Sequence, residues 1–234
     1  MKIFKDIAHS VLDVLFPRSC SVCGKTLAAH EKHICTACTL NIPYTCFHEV
    51  NFNPMEQLFA GKILIERAVG CFYYEKDNPY SNILHDIKYH NIPTLGRYMA
   101  RNYAQTLVGC GLFSDIDCII PVPLHISKRI RRGYNQSEHI ARGFADILNV
   151  PVMTDIIIAE KGHETQTNKG IHERWLNTQG IFSAQDKDCL KDKHVLIVDD
   201  VVTTGATLLS AALTIADVPG IKISLATLGV ARLQ

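Results

Sequence analysis

No apolar run in this chain approaches the roughly 20 residues that a membrane-spanning helix needs, so no span is expected. Charge of one sign is equally scarce. Lys and Arg number 24, Asp and Glu 23, and the net charge is +1. That balance gives no global basic field for nucleic acid, and any such role must rest on a local patch. Internal repeats and low-complexity tracts are absent, which excludes a solenoid or a compositionally biased chain. An unbroken apolar centre of the secretion-signal kind is missing near the N-terminus. Ile3, Phe4, Ile7, Val11, Leu12 and Leu15 recur at helical spacing there, but Asp6, His9 and Asp13 interrupt them. The spacing predicts an amphipathic helix over residues 1–16 that packs on its own protein.

What is present fits an ordinary globular protein: 234 residues, 47% hydrophobic and 20% charged. This length suits one α/β domain with a small appendage. Nine cysteines without a secretion signal point to a reducing, cytoplasmic setting and a metal site rather than a disulfide framework. Cys20 and Cys23 form one C-x-x-C pair, and Cys35 and Cys38 form a second, 11 residues further on. Each pair can set two thiolates on one side of a tight turn, and Gly24 supplies the positive φ that such a turn favours. Two pairs close a tetrahedral site suited to Zn²⁺, with no position left open, so the metal is expected to be structural. A redox role needs only one pair, and the second counts against it. His30 and His33, between the pairs, are alternative ligands. Cys71 and Cys118 lie in apolar runs and read as small core residues.

The richest stretch runs from His194 to Thr207. Val195 to Val198 is a short apolar, β-branched run, as in a central parallel strand covered on both faces. Asp199 and Asp200 follow at its carboxyl end, where open α/β sheets bind ligands. Thr203, Thr204, Gly205, Ala206 and Thr207 come next, then a helix expected over residues 208–216. Small residues let backbone amides approach a ligand, hydroxyls add donors, and the helix N-terminus favours an anion. Carboxylates accept hydrogen bonds from a vicinal diol. Together these features specify a ribose 5-phosphate. No Gly-Lys-Ser/Thr follows the glycine, so this is not a Walker A loop, and one glycine does not make a dinucleotide fingerprint. The stretch resembles the phosphoribosyl pyrophosphate (PRPP) binding motif of the type I phosphoribosyltransferases.

Strands are expected over residues 67–75, 117–124, 152–159 and 221–231, and helices over 80–89, along Leu95, Met99, Tyr103 and Leu107, and over 135–148. Their alternation indicates a parallel sheet. Lys88 and Arg97 flank the turn at Asn91 to Pro93, either as solvated helix ends or as parts of a site. After Pro121 a loop is expected, carrying Lys128, Arg129, Arg131 and Arg132, four cations within five residues. The strand ending at Pro121 should neighbour the Asp199–Asp200 strand, which would turn these cations toward the ligand. Arg recognises phosphate through paired hydrogen bonds, so Lys128, Arg129 and Arg132 are candidates for facing pyrophosphate.

Pro121 to His125, the basic run, and Arg132 to Gln136 are similar to the ComF-type competence family, a branch of the phosphoribosyltransferases. So are the Cys₄ module, Phe72 to Tyr74 followed by Ile87 to Tyr89, and Thr165-Gln166 with Glu173, Arg174 and Asn177. The chain departs from that pattern at Lys169 and Gly170. The resemblance implies a type I phosphoribosyltransferase-like α/β fold with an N-terminal zinc module, Mg²⁺ carried with PRPP, and a loop around Gln166, Arg174 and Asn177 that closes over substrate. It also implies a link to natural transformation, with single-stranded DNA and competence-machinery proteins as partners. The expected organisation is residues 1–50 as amphipathic helix and zinc module, 51–114 as a connecting strand and helices, and 115–234 as the phosphoribosyltransferase-like core. The expected function is PRPP or ribose 5-phosphate binding, with pyrophosphate displaced by an acceptor that the residues do not specify. The alternatives are a non-enzymatic single-stranded DNA-binding factor, with Tyr73, Tyr74 and Tyr134 as stacking surfaces, or a regulator that senses PRPP.

Overall fold

The computed structural model describes residues 17–160 and 181–232. The expected N-terminal helix and the segment holding Gln166, Lys169, Gly170, Arg174 and Asn177 lie outside the described residues. In chain order the elements are α1 (Thr36–Leu40), α2 (Pro54–Gln57), β1 (Ala68–Tyr74), α3 (Ser81–Tyr89), α4 (Pro93–Gly109), β2 (Cys118–Pro121), α5 (Ile126–Arg132), α6 (Gln136–Leu148), β3 (Ile157–Ala159), β4 (Phe182–Ala184), β5 (His194–Val202), α7 (Ala206–Leu213) and β6 (Lys222–Ala231). A four-stranded parallel sheet runs in the order β1-β6-β5-β2, and β3 and β4 form a separate antiparallel pair.

The sheet is covered on both faces, as the apolar run in β5 requires. Leu196 and Val198 join one core with Leu95, Met99 and Tyr103 of α4 and Ile140 and Phe144 of α6. Val195 and Ile197 point the other way, into a core with Phe59, Leu208 and Ala211. This is the two-residue period of a strand, expressed with apolar residues on both sides. Helices α4 and α6 come so close that a Cβ at Gly143 would lie 2.4 Å from the Arg97 carbonyl oxygen, which is why the position holds glycine. Arg97 then ties the two helices through both its Nε and an Nη to the Asp146 carboxylate, at 2.8 and 2.6 Å. Arg97 is thus a structural cross-tie.

Both outer edges of the sheet are paired. On β1, the Tyr73 amide donates to Pro43 and the Thr45 amide donates to Cys71, at 2.9 and 3.1 Å. On β2, the Ile119 amide donates to Pro151 and the Met153 amide donates to Ile119, at 3.0 and 2.8 Å.

Three local expectations are corrected. The strand expected over 152–159 is broken: Val152 makes a single parallel bridge to Ile119, and pairing resumes only at Ile157. Thr154 Oγ1 donates to the Asp155 carboxylate between them, a local bond that competes with a ladder. The basic run is a helix, α5, and not a loop. His125 Nδ1 accepts from the Ser127 amide at its start, and Gly133, at φ +78°, ends it. The helix after the acidic pair spans Ala206–Leu213 rather than 208–216.

Candidate ligand-binding site

Two buried carboxylates occupy the carboxyl end of β5. Strand β6 lies on one side of them, with Thr227 in register with Asp199. Strand β2 lies on the other, where the Val122 amide donates to Val198. Asp199 Oδ1 accepts from the Ser137 hydroxyl and from the Asp200 amide, each at 2.8 Å. Burial, and then the neighbouring Asp200 charge, push Asp199 up to about 7, against the downward pull of those two donors and of Lys88. Asp200 meets the Lys88 ammonium at 3.1 Å through Oδ1, while its Oδ2 is buried without a hydrogen-bond partner. An acceptor left unpaired in the interior is costly and calls for an explanation.

The chain delivers Ser137 to this pair by a local device. Asn135 Nδ2 donates to the Val122 carbonyl, and Asn135 Oδ1 accepts from the Ser137 amide. The end of β2 and the start of α6 are thereby held together, with Asn135 as N-cap. Sequence reasoning missed Ser137 and the Lys88–Asp200 pair. A hydroxyl in the first turn after Asn135 was a signal for the former. For the latter only the cation at the end of a predicted helix was visible.

Beyond Asp200 the chain turns sharply. Thr203, Thr204 and Thr207 are exposed. Gly205 is buried at φ +76°, and a Cβ there would sit 3.2 to 3.4 Å from Phe59 and Leu58. Glycine is required twice over, by the left-handed backbone and by the close approach. Gly205 is also the N-cap of α7 and has no side chain to cap it, and the Ala206 amide donates to the Thr204 hydroxyl at 3.5 Å. Such amides are the donors a helix offers to an anion.

On the neighbouring strand, β2 leads into α5. Lys128, Arg129 and Arg131 are exposed along it. Arg132 lies with its guanidinium over the Tyr89 ring, 5.2 Å from the centroid. The Tyr134 hydroxyl donates to the Ile87 carbonyl. The last turn of α3 therefore touches the basic helix and the segment behind it, and also the acidic pair. Tyr73 packs edge-on against Phe47, and Tyr73, Tyr74 and Tyr134 are all part-buried. Each of the three keeps part of its surface exposed.

The four cysteines of the two C-x-x-C pairs converge. The sulfurs of Cys20, Cys23, Cys35 and Cys38 all lie within 4.8 Å of one another. Cys20 Sγ accepts from the Val22 and Cys35 amides. Burial raises the Cys20 thiol, but these amides and that of Cys23 bring it down to about 7. Gly24 takes φ +72° in the first turn. Glu31 ties the connecting loop, accepting from the Ala28 amide and from the Thr36 amide and hydroxyl. The Thr36 amide foremost holds its carboxyl at about 2. His33 turns away, its ring 5.6 Å from that of Tyr98. A further group, His85, Asp86 and His90, gathers at the end of α3, where Asp86 and His90 bond to each other at 2.7 Å. Cys71 and Cys118 are buried in the core. Among the described residues, no helix is long and apolar enough to cross a membrane.

Comparison with known proteins identifies a family. The phosphoribosyl transferase domain family matches residues 92–229. Competence protein F of Haemophilus influenzae is 27% identical over 193 residues, covering 81% of this chain and 80% of that protein. The DNA utilization protein YhgH of Salmonella typhi is 26% identical over 211 residues, covering 84% and 89%. Among solved structures, a hypoxanthine phosphoribosyl transferase of Trypanosoma cruzi overlaps 60% of this chain and 64% of its own, at 23% identity and a TM-score of 0.33. With more than half of its length matched by the family model, on a parallel sheet flanked by helices, this chain belongs to the phosphoribosyl transferase domain family.

Proposed function

We propose that the chain binds PRPP or ribose 5-phosphate at the carboxyl end of β5. The observation that carries this reading is a buried acidic pair with an unpartnered oxygen, followed at once by a glycine turn and a helix whose N-cap is that glycine. Asp199 and Asp200 would accept the ribose hydroxyls. Thr203, Thr204, Gly205, Ala206 and Thr207 would hold the 5-phosphate through amides and hydroxyls. Lys128, Arg129 and Arg132 would face pyrophosphate. Mg²⁺ would ride on the ligand oxygens and offset their charge. Where chemistry follows, the bond from the anomeric carbon to pyrophosphate breaks, and a bond to the acceptor forms. Pyrophosphate then leaves with the electron pair. The protein's share is positioning and stabilisation of the leaving group. Zn²⁺ is the ion we assign to Cys20, Cys23, Cys35 and Cys38, in a reducing, cytoplasmic compartment. In this reading the chain divides into residues 1–50, 51–114 and 115–234.

A second reading is supported by the exposed face of α5. Lys128, Arg129 and Arg131 stand there beside Ile126 and Ile130, which are 52% and 78% exposed. In this reading that face serves single-stranded DNA, in keeping with the names of the competence and DNA utilization relatives. Calorimetry with PRPP and Mg²⁺, set beside single-stranded DNA, separates the two. Replacing Asp199 and Asp200 with Asn keeps shape and removes charge, and should weaken PRPP binding about tenfold or more. Replacing Arg129 and Arg132 with Ala should weaken PRPP but not ribose 5-phosphate. A drop in DNA affinity with a flatter salt dependence would instead assign the helix to DNA. Undiminished PRPP affinity in the double Asn variant would refute the primary reading.

A further inference from the structure

The acidic pair carries a cation that the phosphoribosyl reading does not use. Lys88 comes from α3, outside the residues matched by the family model, and reaches Asp200 Oδ1 at 3.1 Å. Its backbone position is fixed from both sides. The carbonyl of Ile87 accepts from the Tyr134 hydroxyl, and the ring of Tyr89 lies under the Arg132 guanidinium. The ammonium therefore stands where the acidic pair and the basic helix approach each other. Its side chain is 21% exposed, against 5% for that of Asp200. Lys88 is thus the more accessible partner, and it covers a carboxylate that solvent scarcely reaches.

We propose that Lys88 is a positioning residue of the ligand site, acting as an exchangeable countercharge for Asp200. One ribose hydroxyl takes the unpartnered Asp200 Oδ2, a second takes the place of the ammonium on Oδ1, and the displaced ammonium turns to a phosphate of the same ligand. The flexible four-carbon stem of lysine permits this exchange, and its compact charge suits a phosphate oxygen. This inference rests on the phosphoribosyl reading and adds to it a preference for anionic ligands. A neutral diol that engages both oxygens would have to displace Lys88 from Oδ1 without giving it a new partner. Among the described residues, the two adjacent buried carboxylates are otherwise met by the Ser137 hydroxyl and the Asp200 amide. Removing Lys88 therefore makes the pair take up a proton more readily.

The test is calorimetric titration of the full chain with PRPP and Mg²⁺ between about pH 6 and pH 9, using wild type, Lys88→Met and Lys88→Arg. Lys88→Met should bind PRPP about tenfold or more weakly, with affinity falling further as pH drops. Lys88→Arg should recover most of the binding and the wild-type pH profile. A purely structural lysine would lower stability in Lys88→Met while leaving the affinity and pH profile of the folded protein unchanged, and that result overturns the proposal with the phosphoribosyl reading intact. Failure of the wild type itself to bind PRPP or ribose 5-phosphate overturns both.

Discussion

The cysteine module and the carboxyl end of β5 both gather groups that repel one another when charged, yet they resolve the repulsion differently. At the cysteines, four sulfurs converge within 4.8 Å of one another. One dication would satisfy the whole set, which would make the arrangement closed. At the acidic pair, a hydroxyl, an amide and one lysine offset two carboxylates, and one oxygen is left over. That arrangement is open. A closed cluster can hold a fold together indefinitely, whereas an open one suits a partner that arrives and leaves.

The sharpest way to break this contrast is at the cysteines. Replacing Cys20 and Cys35 with Ser should abolish a near-equimolar zinc content and unfold the module. Structural zinc in small modules contributes on the order of 10 kcal/mol of apparent binding free energy. Elemental analysis with limited proteolysis of residues 17–45 reads both effects. A metal-free protein with the module fully protected would show that the sulfurs need no ion.

The next effect is a pH dependence confined to the open site. Asp199 titrates near 7 in the folded chain instead of its ordinary 3.8. The folded state then holds the proton more tightly than the unfolded one, so stability is present at low pH and lost as pH rises through about 4 to 7. Asp199→Asn removes that loss. It should be worth little near pH 4 and up to about 4 kcal/mol near pH 8 in urea unfolding. An equal difference at both pH values would mean that the carboxyl is not the titrating group.

The smallest effect compares the two turns. Gly24 and Gly205 share the left-handed backbone, at φ +72° and +76°, but a Cβ at Gly24 meets nothing within 4 Å whereas one at Gly205 meets Phe59 at 3.2 Å. Changing each to Ala should cost about 1 kcal/mol at Gly24 and somewhat more at Gly205. A larger loss at Gly24 would reverse the ranking of the two turns.

The parts legible in sequence are those whose signal is local. Val195 to Val198 announce a buried strand by composition, and the two C-x-x-C spacings suffice to bring four sulfurs together. The α5 helix was read as a loop because four of its seven residues are cationic and its cap is His125, outside the usual capping residues. The β-run from Val152 was overextended because Thr154 and Asp155 bond to each other, a choice invisible in a hydropathy pattern. Lys88 and Ser137 could be suspected individually, but their meeting with Asp200 and Asp199 depends on helix packing that no short window contains.

The pairing of both sheet edges has a consequence for how this protein fails. Pro43 to Thr45, which covers β1, is the segment leaving the cysteine module, so the module is also the latch of an edge guard. If the cysteines hold the zinc proposed for them, losing it would do more than loosen a small appendage. It would free a row of amides and carbonyls along β1 as a template for another chain, while Pro151 to Met153 kept the β2 edge closed. Damage at one end of the molecule would therefore surface as one-sided strand addition between molecules, growing from β1 alone.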